Sequence, residues 1–387
     1  MRILQIHTRY RQAGGEDRVV DTERRLLTAA GHEVIQHIEH NPDRVGASAA
    51  RLAASPWNAA AANRVRRVAE RVRPDVAHVH NTWFALSPAA PRALRSLGIP
   101  VVMTLHNYRL ICAAATLYRD GAPCEQCVAS HPWHAVRHAC YRGSRLASTP
   151  AAATIHTQQL RGTWHRDVDL FLALTEFGRS RFLKAGLPAG RVTVKSNSVP
   201  DPGSRHAAPS RSNEVLYVGR LTEEKGVIDL LRAWTAAPSG LRLTIVGEGP
   251  LGQRLRASAH ERVTFAGALP PEALTARMLG ARALVFPSRW YEGQPLVALE
   301  AAAAGLPVLH GDLGAMAQLF SPAAEALSYT TGHARYLAEA LHRLADDSFV
   351  DSYGELTRRR FEQYYTHARA VSRLEEIYHG ATATRRA

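Results

Sequence analysis

The sequence predicts an α/β protein made of two doubly wound parallel sheets, followed by a helical tail. Three observations lead there. Short apolar segments alternate with amphipathic ones through the first half of the 387 residues, and strands alternating with helices at that spacing form parallel sheets with crossover helices. A stretch rich in proline, glycine and serine then breaks the alternation. Beyond it the same alternation begins again. A chain of this length divides into about two cores, because single cores stop growing near roughly 250–300 residues.

In the first half, residues 2–7 read as a strand, and the loop after it holds Gly14 and Gly15. Residues 16–30 read as a helix with Val19, Val20, Leu26 and Leu27 on its apolar side and Gly31 as its stop. Strands follow at 33–38, 75–80 and 100–106, with helices at 58–72 and 88–97. Strands at 170–175 and 191–195 flank a helix at 176–185. Residues 196–214 carry Pro200, Pro202, Gly203 and Pro209 without apolar periodicity, which is a linker signature. The first domain is therefore expected at 1–196 and the second at 197–387. The second half has strands at 215–219, 241–247, 262–266, 283–286 and 307–309. Its helices are expected at 227–234, 251–259, 271–279, 295–304 and 315–319, with tail helices at 334–345 and 354–378. Two such domains place a ligand at the carboxyl ends of the strands, in a cleft.

An apolar fraction of 46% fits a globular protein, and the net charge of +14 is high. The arginines are spread along the chain, with no basic tail and no aromatic-plus-basic repeat, so nucleic acid is not the expected partner. An anionic membrane surface or an anionic substrate suits the charge better, and a solvated arginine-rich surface accounts for it equally well. The first residues start as a strand and not as a signal peptide, and no apolar run is long enough to span a bilayer. The expected location is the cytoplasm, with the cysteines as thiols or metal ligands.

The most specific stretch runs from Arg289 to Gly305. A short apolar strand leads into a loop with Glu292, Gly293 and Gln294, and then into a helix that Pro295 opens and Gly305 stops. The free N–H groups of such a helix start suit phosphate. The helix is apolar almost all round apart from Glu300, so it is expected to be buried, with its carboxylate paired. Glu292 and Glu300 would accept from hydroxyl groups. A second motif, Gly219-Arg220-Leu-Thr-Glu-Glu-Lys225-Gly226, follows the opening strand of the second half. Arg220 can fork onto phosphate oxygens and Lys225 adds a point charge, while Gly219 and Gly226 permit close backbone approach. Neither a dinucleotide fingerprint nor a P-loop is present.

With these motifs the chain resembles the family 4 glycosyltransferases, whose GT-B fold sets two Rossmann-like domains across a cleft. The resemblance covers nearly the whole length. It rests on Gly14-Gly15, on Gly219-Arg-Leu with Lys225-Gly226, on Gly247-Glu-Gly-Pro250, and on Glu292-Gly-Gln-Pro with Glu300 and Gly305. It implies retaining transfer of a sugar from a nucleoside-diphosphate donor to a saccharide or lipid-linked acceptor, with no catalytic metal. By the resemblance Arg220 and Lys225 hold the diphosphate and Glu300 the ribose. Glu292 and the amides of Gly293 and Gln294 meet the sugar and phosphate, Gly14 and Gly15 close the site from the first domain, and Gly247 and Pro295 belong to the donor pocket. His106, at the end of the 100–106 strand, matches a family histidine beside the donor sugar. A satisfied structural histidine is the alternative, and His80, Asn81 and Arg109 are its neighbours. The rivals are a GT-B epimerase or sugar-phosphate synthase and, from another class, a basic nucleic-acid- or membrane-binding protein.

All four cysteines, Cys112, Cys124, Cys127 and Cys140, lie in an insert at about 107–145. A Cys-x2-Cys core with one cysteine on either side has the makings of a structural zinc site. Unrelated buried thiols and a redox pair remain as alternatives.

Overall fold

In the computed structural model, residues 1–10, 14–41, 45–321 and 324–386 are described. They form two compact units. One comprises residues 1–117, 124–196 and 368–387, and the other residues 118–123 and 197–367.

The first unit is built on a parallel six-stranded sheet. Its strands are β1 (Arg2–Arg9), β2 (Glu33–His40), β3 (Val76–Asn81) and β4 (Val101–Leu105). A small hairpin, β5 (Tyr118–Arg119) and β6 (Ala122–Pro123), comes next and belongs to the second unit. The first sheet is completed by β7 (Leu170–Ala173) and β8 (Val192–Val194), in the order β2-β1-β3-β4-β7-β8. β3 and β4 are buried along their whole length, as central strands covered on both faces must be. The helices are stopped and started by local chemistry. The Asn58 side chain accepts from the Ala61 amide to begin Ala59–Val72, and the Thr175 hydroxyl accepts from the Gly178 amide to begin Glu176–Lys184.

The second unit repeats the design with β9 (Glu214–Val218), β10 (Arg242–Val246), β11 (Val263–Gly267), β12 (Ala283–Phe286), β13 (Val308–Gly311) and β14 (Ser328–Tyr329). Their order is β11-β10-β9-β12-β13-β14, again all parallel. One apolar cluster, with Leu216, Leu284 and Leu299, covers one face. Another, with Tyr217, Trp234 and Leu243, covers the other. Along the chain between β8 and β9, residues 196–213 hold an isolated bridge at Val199 and a single 3-10 turn, Pro209–Arg211.

The structure differs from the sequence expectation at the tail. The helix expected at 354–378 is two helices, Asp347–Tyr364 and His367–Arg386. The break falls where Tyr365 turns inward and donates its hydroxyl hydrogen to the Leu319 carbonyl at 3.0 Å. Thr366 then pairs with Val199. The first helix stays in the second unit. The second packs Leu374, Ile377, Tyr378 and Ala381 onto Ile3, Leu27, Val76, Val102 and Leu172 of the first. The tail therefore does not all belong with residues 197–367, because its apolar stripe has its partner surface in the first sheet. Two further helices, Val45–Ala53 and Arg145–Arg161, were not expected from the sequence.

Candidate functional site

In the second unit three strand-end loops meet backbone to backbone, and missing side chains allow it. A Cβ on Gly226, where φ is +69°, would lie 1.8 Å from the Pro287 carbonyl oxygen. On Gly247, at φ +132°, it would lie 2.0 Å from the carbonyl oxygen of Gly219, and on Gly249 it would lie 2.6 Å from that of Leu221. The glycine-bearing motifs around 219–226 and 247–250 are thus locked together at the carboxyl edge of the sheet.

On this frame Lys225 and Glu292 pair with each other. The ammonium nitrogen is 2.7 Å from Glu292 Oε1, and the Ser288 hydroxyl donates to the same oxygen at 2.7 Å. Lys225 also lies 4.8 Å from the centroid of the Trp290 ring. Burial pushes the Glu292 carboxyl up, but the Lys225 ammonium and the Ser288 hydroxyl outweigh that and hold it below its ordinary value. The sequence placed the two residues on different parts of a ligand. The structure joins them, and leaves the ammonium two further donors. Arg220 is exposed, with its guanidinium 3.6 Å from Glu224 Oε1.

The Gln294 side chain is engaged: its oxygen accepts from the Asn197 amide at 2.6 Å. Among the described residues the backbone amides of Gly293 and Gln294 have no protein acceptor. Pro295 is the N-cap, with φ −71° and ψ 123°, so the helix begins one residue later than expected and runs Leu296–Ala303. Gly305, at φ +63°, ends it in the left-handed conformation. The helix is not buried all round, as its composition implied. Ala298, Leu299, Ala301, Ala302 and Ala303 are buried, whereas Leu296, Val297 and Glu300 are half-buried. These three share one face, so Glu300 stands on the open side of an otherwise apolar helix.

In the first unit Gly14 is extended (φ −124°, ψ −175°), and its amide donates to Asp17 Oδ2 at 2.9 Å. The other Asp17 oxygen is 2.8 Å from His7 Nε2. A Cβ on Gly14 would meet nothing within 4 Å, so the fold itself does not require glycine there. Gly15 opens the helix Gly15–Ala29, and among the described residues its amide has no protein acceptor.

His106 sits past the end of β4 on a small cavity lined also by Asn81, Trp83, Asn107 and Arg109. Its Nε2 is 3.0 Å from His80 Nδ1, and the rings stack. His80 Nε2 in turn faces Glu23 Oε2 at 3.7 Å, and Glu23 is ion-paired with Lys195. His78 bridges the Tyr378 hydroxyl and the Thr104 hydroxyl, both at 2.7 Å. Burial drives the His78 pKa down to about 4, and it holds His80 and His106 well below the ordinary imidazole value. All three rings are neutral near pH 7. Beside them Asn107 donates to both the Tyr10 hydroxyl and Glu16 Oε2 at 3.1 Å, and burial raises the Glu16 carboxyl to about 8.

Glu23, His78 and His80 have donor atoms within 4.8 Å of one another. They do not suit a metal, because Lys195 occupies Glu23 and both His78 nitrogens are already engaged. Glu23 and Lys195 were missed by the sequence reading. A signal for Glu23 was present: it falls with Val19, Val20 and Leu27 on the apolar side of its helix, where a charge demands a partner.

Two families match the chain. One described as Glycosyltransferase Family 4 matches residues 13–201, and one described as Glycosyl transferases group 1 matches residues 212–347. A glycogen synthase of Mycobacterium tuberculosis is 28% identical over 283 residues, which is 71% of this chain and 61% of that enzyme. The chain therefore spans less than two thirds of that relative's length. Among solved structures, sucrose-phosphate synthase from Thermosynechococcus elongatus aligns with a TM-score of 0.73 at 18% identity, covering 99% of each chain. HepE of Anabaena, solved in complex with UDP, aligns with a TM-score of 0.69 at 16% identity, covering 98% of this chain and all of its own. At these identities the two structures speak for the fold. No helix among the described residues is long and apolar enough to cross a membrane.

Proposed function

We infer that this chain, which belongs to glycosyltransferase family 4, transfers a sugar from a nucleoside-diphosphate donor to a saccharide or lipid-linked acceptor. The transfer proceeds with retention and serves the synthesis of a cell-surface polysaccharide or glycolipid, in the cytoplasm or at the inner face of the membrane. The observation that carries this reading is the Lys225–Glu292 pair, seated in glycine-locked loops beside the amides of Gly293 and Gln294.

Breaking the anomeric bond places negative charge on the leaving phosphate. Arg220, Lys225 and backbone amides, including those of Gly14 and Gly15, are assigned to that charge. Preorganised donors of this kind are usually the largest single contribution to catalysis. This reading assigns the stabilisation of that charge to these donors and gives the step no catalytic metal. Glu292, kept ionised by Lys225, is assigned to the hydroxyls of the transferred sugar, and Glu300 to the ribose. A carboxylate accepts from two neighbouring hydroxyls, which suits a vicinal diol. Gly219, Gly247 and Pro295 shape the pocket through their backbones. His106, neutral and held by His80, is assigned to a hydroxyl of the donor sugar.

A nucleoside-diphosphate release assay with a panel of donors, run with and without saccharide acceptors, tests the reading. Release that depends on acceptor is expected, and Glu300→Ala should abolish it while the protein stays folded. Release with no acceptor dependence, or full turnover in Glu300→Ala, refutes the assignment.

A further inference from the structure

Among the described residues the four cysteines expected as a zinc set do not converge: no three of their sulfurs lie within 4.8 Å of one another. Cys127 and Cys140 instead pack on the apolar cluster that holds Trp83, Ala151 and Ile155. The segment is distinctive on its outer side. From Gln126 to Arg166 there is no aspartate or glutamate, against five arginines and five histidines. Arg137, Arg142, Arg145, Arg161 and Arg166 are all exposed, and none of them pairs with a carboxylate among the described residues.

Large apolar side chains stand among these charges. Four large hydrophobic side chains are exposed among the described residues, and three of them are here: Trp133 at 38%, Leu146 at 86% and Leu160 at 76%. A surface helix ordinarily turns its large apolar residues inward. The helix Arg145–Arg161 does the opposite with its two leucines, while its inward side is made of Ser148, Ala151, Ala152, Thr154, Ile155 and Gln158. Leu146, Ala153 and Leu160 follow one another every seven residues, so they share the outward face over about 21 Å. Arg145 and Arg161 flank that stripe on its two sides. The Arg161 guanidinium lies 4.5 Å from the centre of the Trp57 ring. Trp133 stands beside the helix, its ring edge-on to His156 at 5.6 Å.

An apolar stripe edged by arginines calls for an occupant that is negative at its surface and apolar beneath. A second copy of this chain does not fit. A two-fold contact sets the same patch against itself, and arginines would face arginines with no acid to answer them. A nucleic acid matches the arginines but offers no continuous apolar layer to the two leucines. An anionic bilayer offers both: phosphates for arginine, and the acyl boundary beneath them for leucine and tryptophan. We propose that the outward face of Arg145–Arg161, with Trp133 beside it, docks on an anionic lipid surface. The proposal rests on the membrane-face part of the functional reading and gives it a place in the first unit.

The full chain is floated with vesicles of mixed phosphatidylglycerol and phosphatidylcholine, and with phosphatidylcholine alone, at low and high salt. Binding to the anionic vesicles and not to the neutral ones is expected. Leu146→Ser with Leu160→Ser should weaken it by at least about tenfold at either salt. Arg142→Gln with Arg145→Gln should weaken it by about thirtyfold at low salt, since each arginine near an anionic surface is worth roughly fivefold, and by much less at high salt. All four positions are exposed, so both double variants should melt like wild type and release nucleoside diphosphate at the wild-type rate with a soluble acceptor. Vesicle binding that ignores the leucine pair, or that shows no preference for anionic lipid, would overturn the proposal. So would two results in place of vesicle binding: a dimer in light scattering that the leucine variant dissolves, or salt-steep binding to a polynucleotide. Flotation uses neither donor nor acceptor, so its failure leaves sugar transfer standing, and a failure of transfer leaves the docking face standing.

Discussion

Lys195 with Glu23 in the first unit and Lys225 with Glu292 in the second are both short ion pairs at the carboxyl side of a parallel sheet, but their surroundings differ. Lys195 and Glu23 side chains are 2% and 3% exposed, and neutral imidazoles and a tyrosine surround them. Lys225 and Glu292 are 17% and 9% exposed, under an indole ring and beside the backbone amides of Gly293 and Gln294, which have no acceptor among the described residues. A buried ion pair is weak evidence for net stability, because desolvating two charges offsets much of their attraction. Removing one partner is nevertheless costly, since the other charge stays buried alone. The first pair is therefore expected to hold structure. The second keeps spare hydrogen-bonding capacity facing outward, which is what a ligand site requires.

The largest effect should come from breaking the buried pair. Lys195→Met leaves Glu23 unpaired and should cost about 3–5 kcal/mol in denaturant unfolding, and adding Glu23→Leu should recover most of it. If Lys195→Met unfolds like wild type, the contrast between the pairs is wrong. Lys225→Ala should act the other way. Its stability should fall by no more than about 1–2 kcal/mol, since Ser288 still donates to Glu292, while turnover drops by roughly 10²–10³-fold. Thermal stabilisation by a nucleotide sugar should vanish in the same variant.

Smaller effects separate the two environments by pH. Burial lowers the His78 pKa to about 4 in the folded state, so below the ordinary value near 6.5 the unfolded chain takes up the proton first. Stability should fall as pH drops from about 6.5 towards 4, read as a steady loss of melting temperature. Glu16 has the opposite sign. Its folded pKa is raised to about 8, so its contribution is present in acid and is lost as pH rises from about 4.5 through 8. Glu16→Gln should match wild type near pH 5 and become slightly more stable than it near pH 8.5. A constant difference at both pH values would show that Glu16 does not titrate in that range.

The sheets were legible because their strands are short apolar runs between turn residues, and that pattern requires no knowledge of partners. The nucleotide-side residues were legible for a similar reason: Gly219, Arg220, Lys225, Glu292 and Glu300 lie in compact local motifs. What the pattern did not reveal was long-range. Lys195 finds Glu23 from 172 positions away, and Tyr378 finds His78 from 300. No window of local periodicity carries such information. The direct bond between Lys225 and Glu292 was hidden in the same way, as was the allegiance of the helix His367–Arg386. Its stripe was visible as apolar, but which sheet it matched was not.

That helix has a consequence for the order in which the molecule is made. Ile3, Leu27, Val76 and Val102 emerge early in synthesis, yet the surface that covers them includes Leu374, Ile377 and Tyr378. The amino-terminal sheet must wait, with part of its apolar face uncovered, while the whole of residues 197–367 leaves the ribosome. Domains made in sequence usually close one after another. Here the unit begun first is closed second, so during translation its unfinished face is where a chaperone, or an unwanted neighbour, would bind.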